Sequence, residues 1–139
     1  MATRATITIN SDISYSGLSL SSASTLKTAG TDTDISETTG LGKKKVATAS
    51  NVVLLDGGLT SGIAADVTAD KSAKVYVKNM NLRGNGTKYV TILLAAVEIG
   101  RLYGGDWMFI PWCAASGKDI EFTPSDATET TLEYTCFYE

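Results

Sequence analysis

The chain has 139 residues and a formal net charge of −3; 43% of the residues are hydrophobic and 19% are charged. One domain with its own core fits this length, and so large an apolar fraction excludes disorder of the whole chain. Weak net acidity argues against nucleic acid as a partner, because phosphate neutralisation needs clustered Lys and Arg, and no apolar run is long enough to span a bilayer.

Strand-like segments separated by Gly, Asn, Asp and Ser recur along the chain, and helix signals are nearly absent. From Arg4 to Asn10 the apolar residues occupy alternate positions, which predicts a half-buried strand. Residues 11–42 are rich in Ser, Thr and Gly, so we expect a weak strand and a long, loop-rich surface segment there. Residues 1–6 are a candidate N-terminal arm, and no signal peptide precedes the first strand, which indicates synthesis in a cytoplasm.

The middle of the chain carries stronger strand patterns. Residues 43–55 predict one or two strands that end at an Asp-Gly-Gly turn at residues 56–58. Residues 73–79 alternate between inward valine and outward lysine or tyrosine. An Asn-Gly pair at residues 85–86 then predicts a hairpin to a strand over residues 88–97, whose two apolar faces are typical of a central strand.

An aromatic strand follows a turn at residues 103–106. Trp107 and Phe109 share one face of this strand and Trp112 lies on the other, so both faces are apolar and at least one must meet a neighbouring element or subunit. Proline donates no backbone hydrogen bond, so Pro111 predicts the end of a strand or the edge of a sheet.

Two further alternating strands, over residues 119–123 and 131–138, close the chain, and the second places Cys136 inside. Cys113 and Cys136 match no metal-ligand spacing, so both are predicted to be reduced, buried, small hydrophobes; a disulfide between them is the alternative. Seven to nine strands with frequent turns predict an all-β, single-domain β-sandwich over residues 1–139. We favour a jelly-roll-like sandwich, because the Cys–Trp–Cys spacing of immunoglobulin domains is missing.

The sequence offers little catalytic chemistry. It has no histidine, which removes the usual general base, the commonest transition-metal ligand and the Ser-His-Asp triad. Asp119 and Glu121 are the obvious carboxylate pair, but their spacing places them on the solvated face of a strand. The acidic stretch over residues 32–37 lacks the glycine and the distal glutamate of an EF-hand. We therefore predict no enzyme: no catalytic residue, no metal, no cofactor and no small-molecule substrate.

The candidate functional residues are those of an interaction surface. Aromatic side chains can anchor a protein interface or stack on sugar rings, with core packing as the alternative. Residues 42–101 are net basic and residues 102–139 net acidic, so copies could meet through opposite charges if the two stretches lie on different faces; two ordinary solvated surfaces are the alternative. The candidate interface residues are Arg4, Lys43, Lys44, Lys45, Tyr103, Trp107, Phe109 and Trp112.

Strand and turn patterns in residues 73–139 carry a resemblance. They are Lys74-Val75-Tyr76-Val77-Lys78-Asn79, Val90-Thr91-Ile92, the Gly-Gly-Asp turn before Trp107-Met108-Phe109-Ile110-Pro111-Trp112, and Thr131-Leu132-Glu133-Tyr134. These segments resemble small jelly-roll structural proteins of tailed bacteriophages, of the head-decoration or cement type. The resemblance implies a virion protein assembled in the host cytoplasm, a homotrimer that sits on the capsid surface and ties major capsid subunits together. It carries over no site residues.

Two alternatives stay open. A tail, neck or fibre component of the same virion would share the fold and the absence of catalysis. A carbohydrate-binding module is the alternative of another class, and it predicts exposed, coplanar Trp side chains.

Overall fold

The computed structural model describes residues 4–11, 18–35, 37–46, 50–58, 73–82, 88–126 and 129–139. Within these ranges the chain forms eleven strands, and no helix there has the length and apolar character of a membrane span. In chain order the strands are β1 (Arg4–Ser11), β2 (Leu18–Thr25), β3 (Glu37–Thr38), β4 (Gly42–Val46), β5 (Val52–Leu55), β6 (Ala73–Asn79), β7 (Tyr89–Leu94), β8 (Val97–Tyr103), β9 (Trp107–Trp112), β10 (Ile120–Pro124) and β11 (Thr130–Tyr138). The predicted all-β class is confirmed.

Eight of the strands form two antiparallel sheets, with the orders β5-β10-β7-β8 and β4-β11-β6-β9; the two-residue β3 also pairs with β11. From β4 to β11 the strands pair from the outermost to the innermost: β4 with β11, β5 with β10, β6 with β9, and β7 with β8. A long antiparallel ribbon rolled up on itself has this order, so the sandwich is jelly-roll-like, as predicted. The eleven strands of the described residues exceed the predicted seven to nine: eight form the roll, and β3 and a separate β1–β2 hairpin complete the count.

The hairpin predicted between residues 73–79 and 88–97 is wrong. β6 pairs with β11 and β9 in one sheet, whereas β7 pairs with β10 and β8 in the other. Residues 83–87, which include the Asn-Gly pair, lie outside the described residues. The prediction failed because a turn signal indicates that a chain reverses but does not specify which sheet receives the next strand.

The single strand predicted over residues 88–97 is two strands joined by a tight turn. β7 is central in its sheet, as predicted, but it ends at Leu94, which pairs with Val97 at the start of β8. Ala95 and Ala96 between them have φ values of 53° and 62°. A type I′ turn requires positive φ at both central residues, and Asn-Gly normally supplies it, so the Ala-Ala pair hides this turn from the sequence.

One core lies between the two sheets and receives inward side chains from both. The valines of β6 and the pair Ile120 and Phe122 of β10 are inward and at most 1% exposed, which confirms their predicted orientation. Burial of each such side chain stabilises the fold by about 1.5–3 kcal/mol relative to exposure. Pro111 lies in β9, which is an edge strand of its sheet, as predicted.

The Asp-Gly-Gly turn after β5 is confirmed, and it packs closely against the turn before β10. A Cβ added to Gly57 would lie 2.2 Å from the carbonyl oxygen of Ala115, and Gly58 has a φ of 79°. The N–H of Gly57 donates to Oδ1 of Asp119 at 2.8 Å. Both glycines are therefore required here, the first by close approach and the second by its left-handed backbone.

The first 42 residues contain a longer strand pairing than we expected. β1 and β2 pair antiparallel over eight residues, from Arg4 opposite Thr25 to Ser11 opposite Leu18. Arg4, Ala5 and Thr6 of the candidate arm therefore belong to a paired strand, while residues 1–3 and 12–17 lie outside the described residues. Serine and threonine give β2 a weak hydrophobic alternation, which explains why its sequence predicts only a weak strand.

Candidate functional site

The outward face of the β4-β11-β6-β9 sheet carries a cluster of aromatic side chains. β6 turns Lys74, Tyr76 and Lys78 outward, because its valines point into the core. The pairing of β6 with β11 and β9 sets three rows across this face: Phe137, Lys74 and Pro111; Thr135, Tyr76 and Phe109; and Glu133, Lys78 and Trp107. Sheet register thus brings together aromatic residues that are far apart in the sequence.

A groove of ≈ 360 Å³ lies between this face and β1. The sheet contributes Tyr76, Trp107, Phe109, Thr135 and Phe137 to its lining. The N-terminal part of the chain contributes Leu26, Leu41 and four consecutive residues of β1, Arg4 to Ile7. We call this the aromatic groove.

Large apolar side chains of the aromatic groove are open to solvent. Trp107 is 53% exposed and Leu41 65% exposed. The rings of Trp107 and Tyr76 are 6.5 Å apart and inclined at 36°. Burial, and next the negative charge of Glu133, raise the pKa of Tyr76, so the phenol remains neutral at physiological pH. The five sheet residues that line the groove, which we call its floor, are therefore mainly apolar and uncharged.

Three cations and the carboxylate of Glu133 lie around this floor. Arg4 lines the groove itself, while Lys74 and Lys78 stand beside groove-lining residues in the outer rows. Among the described residues, none of these three cations forms an ion pair. In contrast, Lys43 and Lys45 of β4 lie near carboxylates: Lys43 Nζ is 3.8 Å from Oε2 of Glu133, and Lys45 Nζ is 2.9 Å from Oε1 of Glu129.

Those ion pairs also bear on the charge pattern of the sequence. Lys43 comes from the net-basic stretch and Glu133 from the net-acidic stretch, yet both lie on the same face of one sheet. Antiparallel pairing of β4 with β11 mixes the two signs, so the two stretches do not occupy separate faces there.

The structure brings three of the predicted interface residues, Arg4, Trp107 and Phe109, to the aromatic groove. Trp112 is instead in the core, 4% exposed, and its Nε1 donates to the carbonyl of Lys118 at 2.7 Å. Strand alternation separates Trp112 from Trp107, as predicted, and the structure shows that the side of Trp112 is the buried one.

Two other candidates lie away from the aromatic groove. Tyr103 is on β8 of the opposite sheet, where its ring is 5.5 Å from that of Tyr89. Lys44 points to the inner side of β4, and its Nζ donates to the carbonyl of Val53 in β5 at 2.9 Å. Lys44 therefore links the edges of the two sheets, and of the three consecutive lysines only Lys43 and Lys45 face outward.

Several groove residues were not predicted as site residues, among them Tyr76, Phe137, Ile7 and Leu41. A usable signal was present for Tyr76 and Phe137, because both are aromatic residues on the outward side of an alternating strand. No local signal marks Leu41, because its role depends on where the N-terminal part of the chain lies against the sheet.

The acidic residues considered for chemistry have structural partners. Asp119 accepts from the N–H of Gly57, and Oε2 of Glu121 accepts from Nδ2 of Asn51 at 2.9 Å. In the acidic stretch, Asp34 pairs with Lys27 at 2.5 Å. The described part of the chain holds no group of three or more residues suited to a metal ion.

The two cysteines have different environments, and neither is in a disulfide. Cys136 is fully buried, as predicted, and desolvation raises the pKa of its thiol to about 12. The expectation that Cys113 is also buried is wrong: it is exposed. Cys113 directly follows Trp112, and because strand side chains alternate, an inward Trp112 directs its neighbour outward.

Comparison with known proteins yields no relative: no protein family, no curated protein and no solved structure matches the chain significantly.

Proposed function

We propose that the chain is a structural protein of a tailed-phage virion, a capsid decoration or cement protein that binds the outer head surface and stabilises contacts between major capsid subunits. The aromatic groove carries this proposal. A half-exposed Trp beside further aromatic rings on a rigid sheet is the composition of a protein-binding hot spot. The jelly-roll-like fold agrees with the resemblance found in the sequence, which covers β6 to β11.

The proposed mechanism is non-covalent attachment to the capsid, without a catalysed reaction. The aromatic groove buries its apolar floor against the capsid, and the cations around it favour an acidic partner surface. In a homotrimer three such grooves would act together, because each engaged groove raises the local concentration of the next. Weak single contacts then sum to stable occupancy of the shell.

Two measurements test the proposal. Light scattering on the purified protein should give three times the chain mass of 14.6 kDa. Sedimentation with empty heads of the phage that encodes the chain should show saturable binding, and heads of an unrelated tailed phage serve as the control. A monomer that remains at the top of the gradient with both kinds of head would contradict the proposal.

A pair of variants links binding to the aromatic groove. Trp107→Ala should raise the Kd for heads about thirtyfold, the loss typical of an aromatic anchor of about 2 kcal/mol. Tyr103→Ala is the matched control, since Tyr103 is an aromatic residue of similar exposure, 42%, on the opposite sheet. Equal effects of the two substitutions would show that the aromatic groove is not the attachment surface.

The two alternatives predict different outcomes of the same experiments. A tail, neck or fibre protein would bind purified tails and not heads. A carbohydrate-binding module would be retained on a glycan column. For that module the structure offers less support, because the chain has two Trp residues and Trp112 lies in the core, so a coplanar pair of exposed Trp rings is not formed.

A further inference from the structure

We propose that the aromatic groove takes an extended peptide segment with an apolar centre and acidic ends, which adds as a strand to the open edge of β1. The inference rests on the proposed function, because it specifies what part of a partner protein enters the site. Three observations support it: the edge of β1, the floor of the groove and the charges around it.

The first observation is that β1 presents its backbone edge to the groove. Four consecutive residues, Arg4 to Ile7, line the groove. Side chains of a strand alternate between two faces, so four successive residues at one groove indicate that the backbone of β1 borders it as well as side chains. β2 pairs with one edge of β1, and within the described residues no strand pairs with the other. Every second residue of β1 therefore turns its N–H and C=O away from β2, ready to pair with an added strand.

The second observation is that the floor suits the side chains of such a strand. An extended segment paired with β1 would direct alternate side chains toward Tyr76, Phe109 and Trp107, while the intervening ones face solvent. Backbone hydrogen bonds to β1 would supply affinity, and apolar contacts with the aromatic floor would select the residues at alternate positions.

The third observation is the distribution of charge. Lys74 and Lys78 are outward neighbours of Tyr76 along β6, one on each side, and Arg4 lines the groove from β1. None of the three has an ion-pair partner among the described residues; Glu133, opposite Lys78, lies 3.8 Å from Nζ of Lys43. An occupant with acidic residues at both ends would place a carboxylate near each lysine while its apolar centre covers Tyr76.

A synthetic peptide in which valine alternates with threonine, with a glutamate at each end, is the probe. We expect it to bind the full chain by calorimetry and to shift the Trp emission to shorter wavelength, because it covers Trp107. A version with lysine in place of both glutamates should bind about tenfold more weakly. The double variant Lys74→Glu with Lys78→Glu should reverse this preference, whereas Tyr103→Ala should leave it unchanged.

N-methylation of the peptide backbone distinguishes strand addition to β1 from binding through side-chain contacts with the floor alone. Two isomers of the probe carry N-methyl groups on alternate residues, one on the valines and one on the threonines. Only one of these sets of N–H groups faces β1, so one isomer should lose binding at least about tenfold and the other should retain it. Equal affinity of both isomers, loss in both, or no binding of the parent peptide at about 1 mM would overturn the inference.

Failure here is distinguishable from failure of the proposed function. If the peptides do not bind but Trp107→Ala still weakens attachment to heads, the head-binding role stands and strand addition is wrong. If the peptides bind as expected but heads do not, the inference about the groove stands and the virion role is wrong.

Discussion

Asn79 shows how one buried polar residue joins separate parts of the fold. It is 1% exposed at the end of β6. Its Nδ2 donates to the carbonyl of Leu102, and its Oδ1 accepts from the N–H of Asn81, both at 3.0 Å. Its backbone N–H donates to the carbonyl of Asp106, and its own carbonyl accepts from the N–H of Gly105, both at 2.9 Å. The residue thus connects β6 with the end of β8 and with the turn that crosses between the sheets.

We expect Asn79→Leu to lower the free energy of unfolding by about 2–4 kcal/mol, because the buried Leu102 carbonyl and the part-buried Asn81 N–H both lose their partner. Asn51→Leu is the control: Asn51 also bonds through both side-chain atoms, to Glu121 and Thr123, but is exposed, so its loss should change stability by no more than about 0.5 kcal/mol. Urea denaturation measures both, and similar losses would contradict this account of Asn79.

The thiols give a second prediction at the scale of single residues. Cys113 is exposed, whereas Cys136 is fully buried and its pKa is raised to about 12, so it stays protonated in the folded chain. Ellman's reagent should therefore label one thiol per native chain and both in denaturant. Cys113→Ser should abolish native labelling and Cys136→Ser should leave it unchanged. Labelling of native Cys113→Ser at the wild-type rate would show that Cys136 is accessible.

At the scale of elements, the β7–β8 turn is a point where sequence and backbone disagree. Ala95 and Ala96 both have positive φ, a conformation that disfavours residues with a Cβ by roughly 1–2 kcal/mol each. The double variant Ala95→Asn with Ala96→Gly should raise the free energy of unfolding by about 1–2 kcal/mol, since Asn-Gly suits a type I′ turn.

A single glycine substitution elsewhere provides the control for this turn. Ala29 is exposed in a turn whose positive φ falls on Gly30. Ala29→Gly therefore adds only conformational freedom to the unfolded chain and should lower the free energy of unfolding by about 0.4–1 kcal/mol. The two variants should move the thermal midpoint in opposite directions. A lower midpoint for the Asn-Gly variant would mean that the left-handed turn is not formed in solution.

At the scale of the whole molecule, the rolled sandwich and the N-terminal hairpin have different roles. The main core draws its residues from β4 to β11, and none of the β1 and β2 residues whose burial is described belongs to it. Deletion of residues 2–6 should therefore lower the Tm by less than about 4 °C, while weakening attachment to heads because Arg4, Ala5 and Thr6 leave the groove.

Gly57→Ala serves as the contrasting variant for this deletion. An added Cβ would lie 2.2 Å from the Ala115 carbonyl oxygen, so this change should lower the Tm of the sandwich while leaving every groove residue in place. Calorimetry and head sedimentation on both variants separate the two roles. Unchanged occupancy of heads after the deletion would remove β1 from the attachment surface.

The strands that alternate most clearly were predictable one by one. Val75 and Val77 of β6, Ile120 and Phe122 of β10, and Cys136 of β11 all lie where period-two alternation places them. The Asp-Gly-Gly turn and the edge position of Pro111 were predictable too, because glycine and proline restrict the backbone locally. Three of the eleven groove-lining residues followed by the same route: Trp107 and Phe109 were assigned to one shared face, and Arg4 to the first strand.

The sequence by itself determined the all-β class, the glycine-containing turn after β5 and the two faces of the clearly alternating strands, because covalent geometry makes side chains alternate along any extended chain. Only the tertiary structure decided that β6 and β7 enter different sheets, that Trp112 is buried while Trp107 is exposed, and that β1 lies against Tyr76 to form a groove. These features depend on pairing between distant segments. Burial of the whole core selects that pairing, and a local sequence pattern does not report which distant segment a strand will meet.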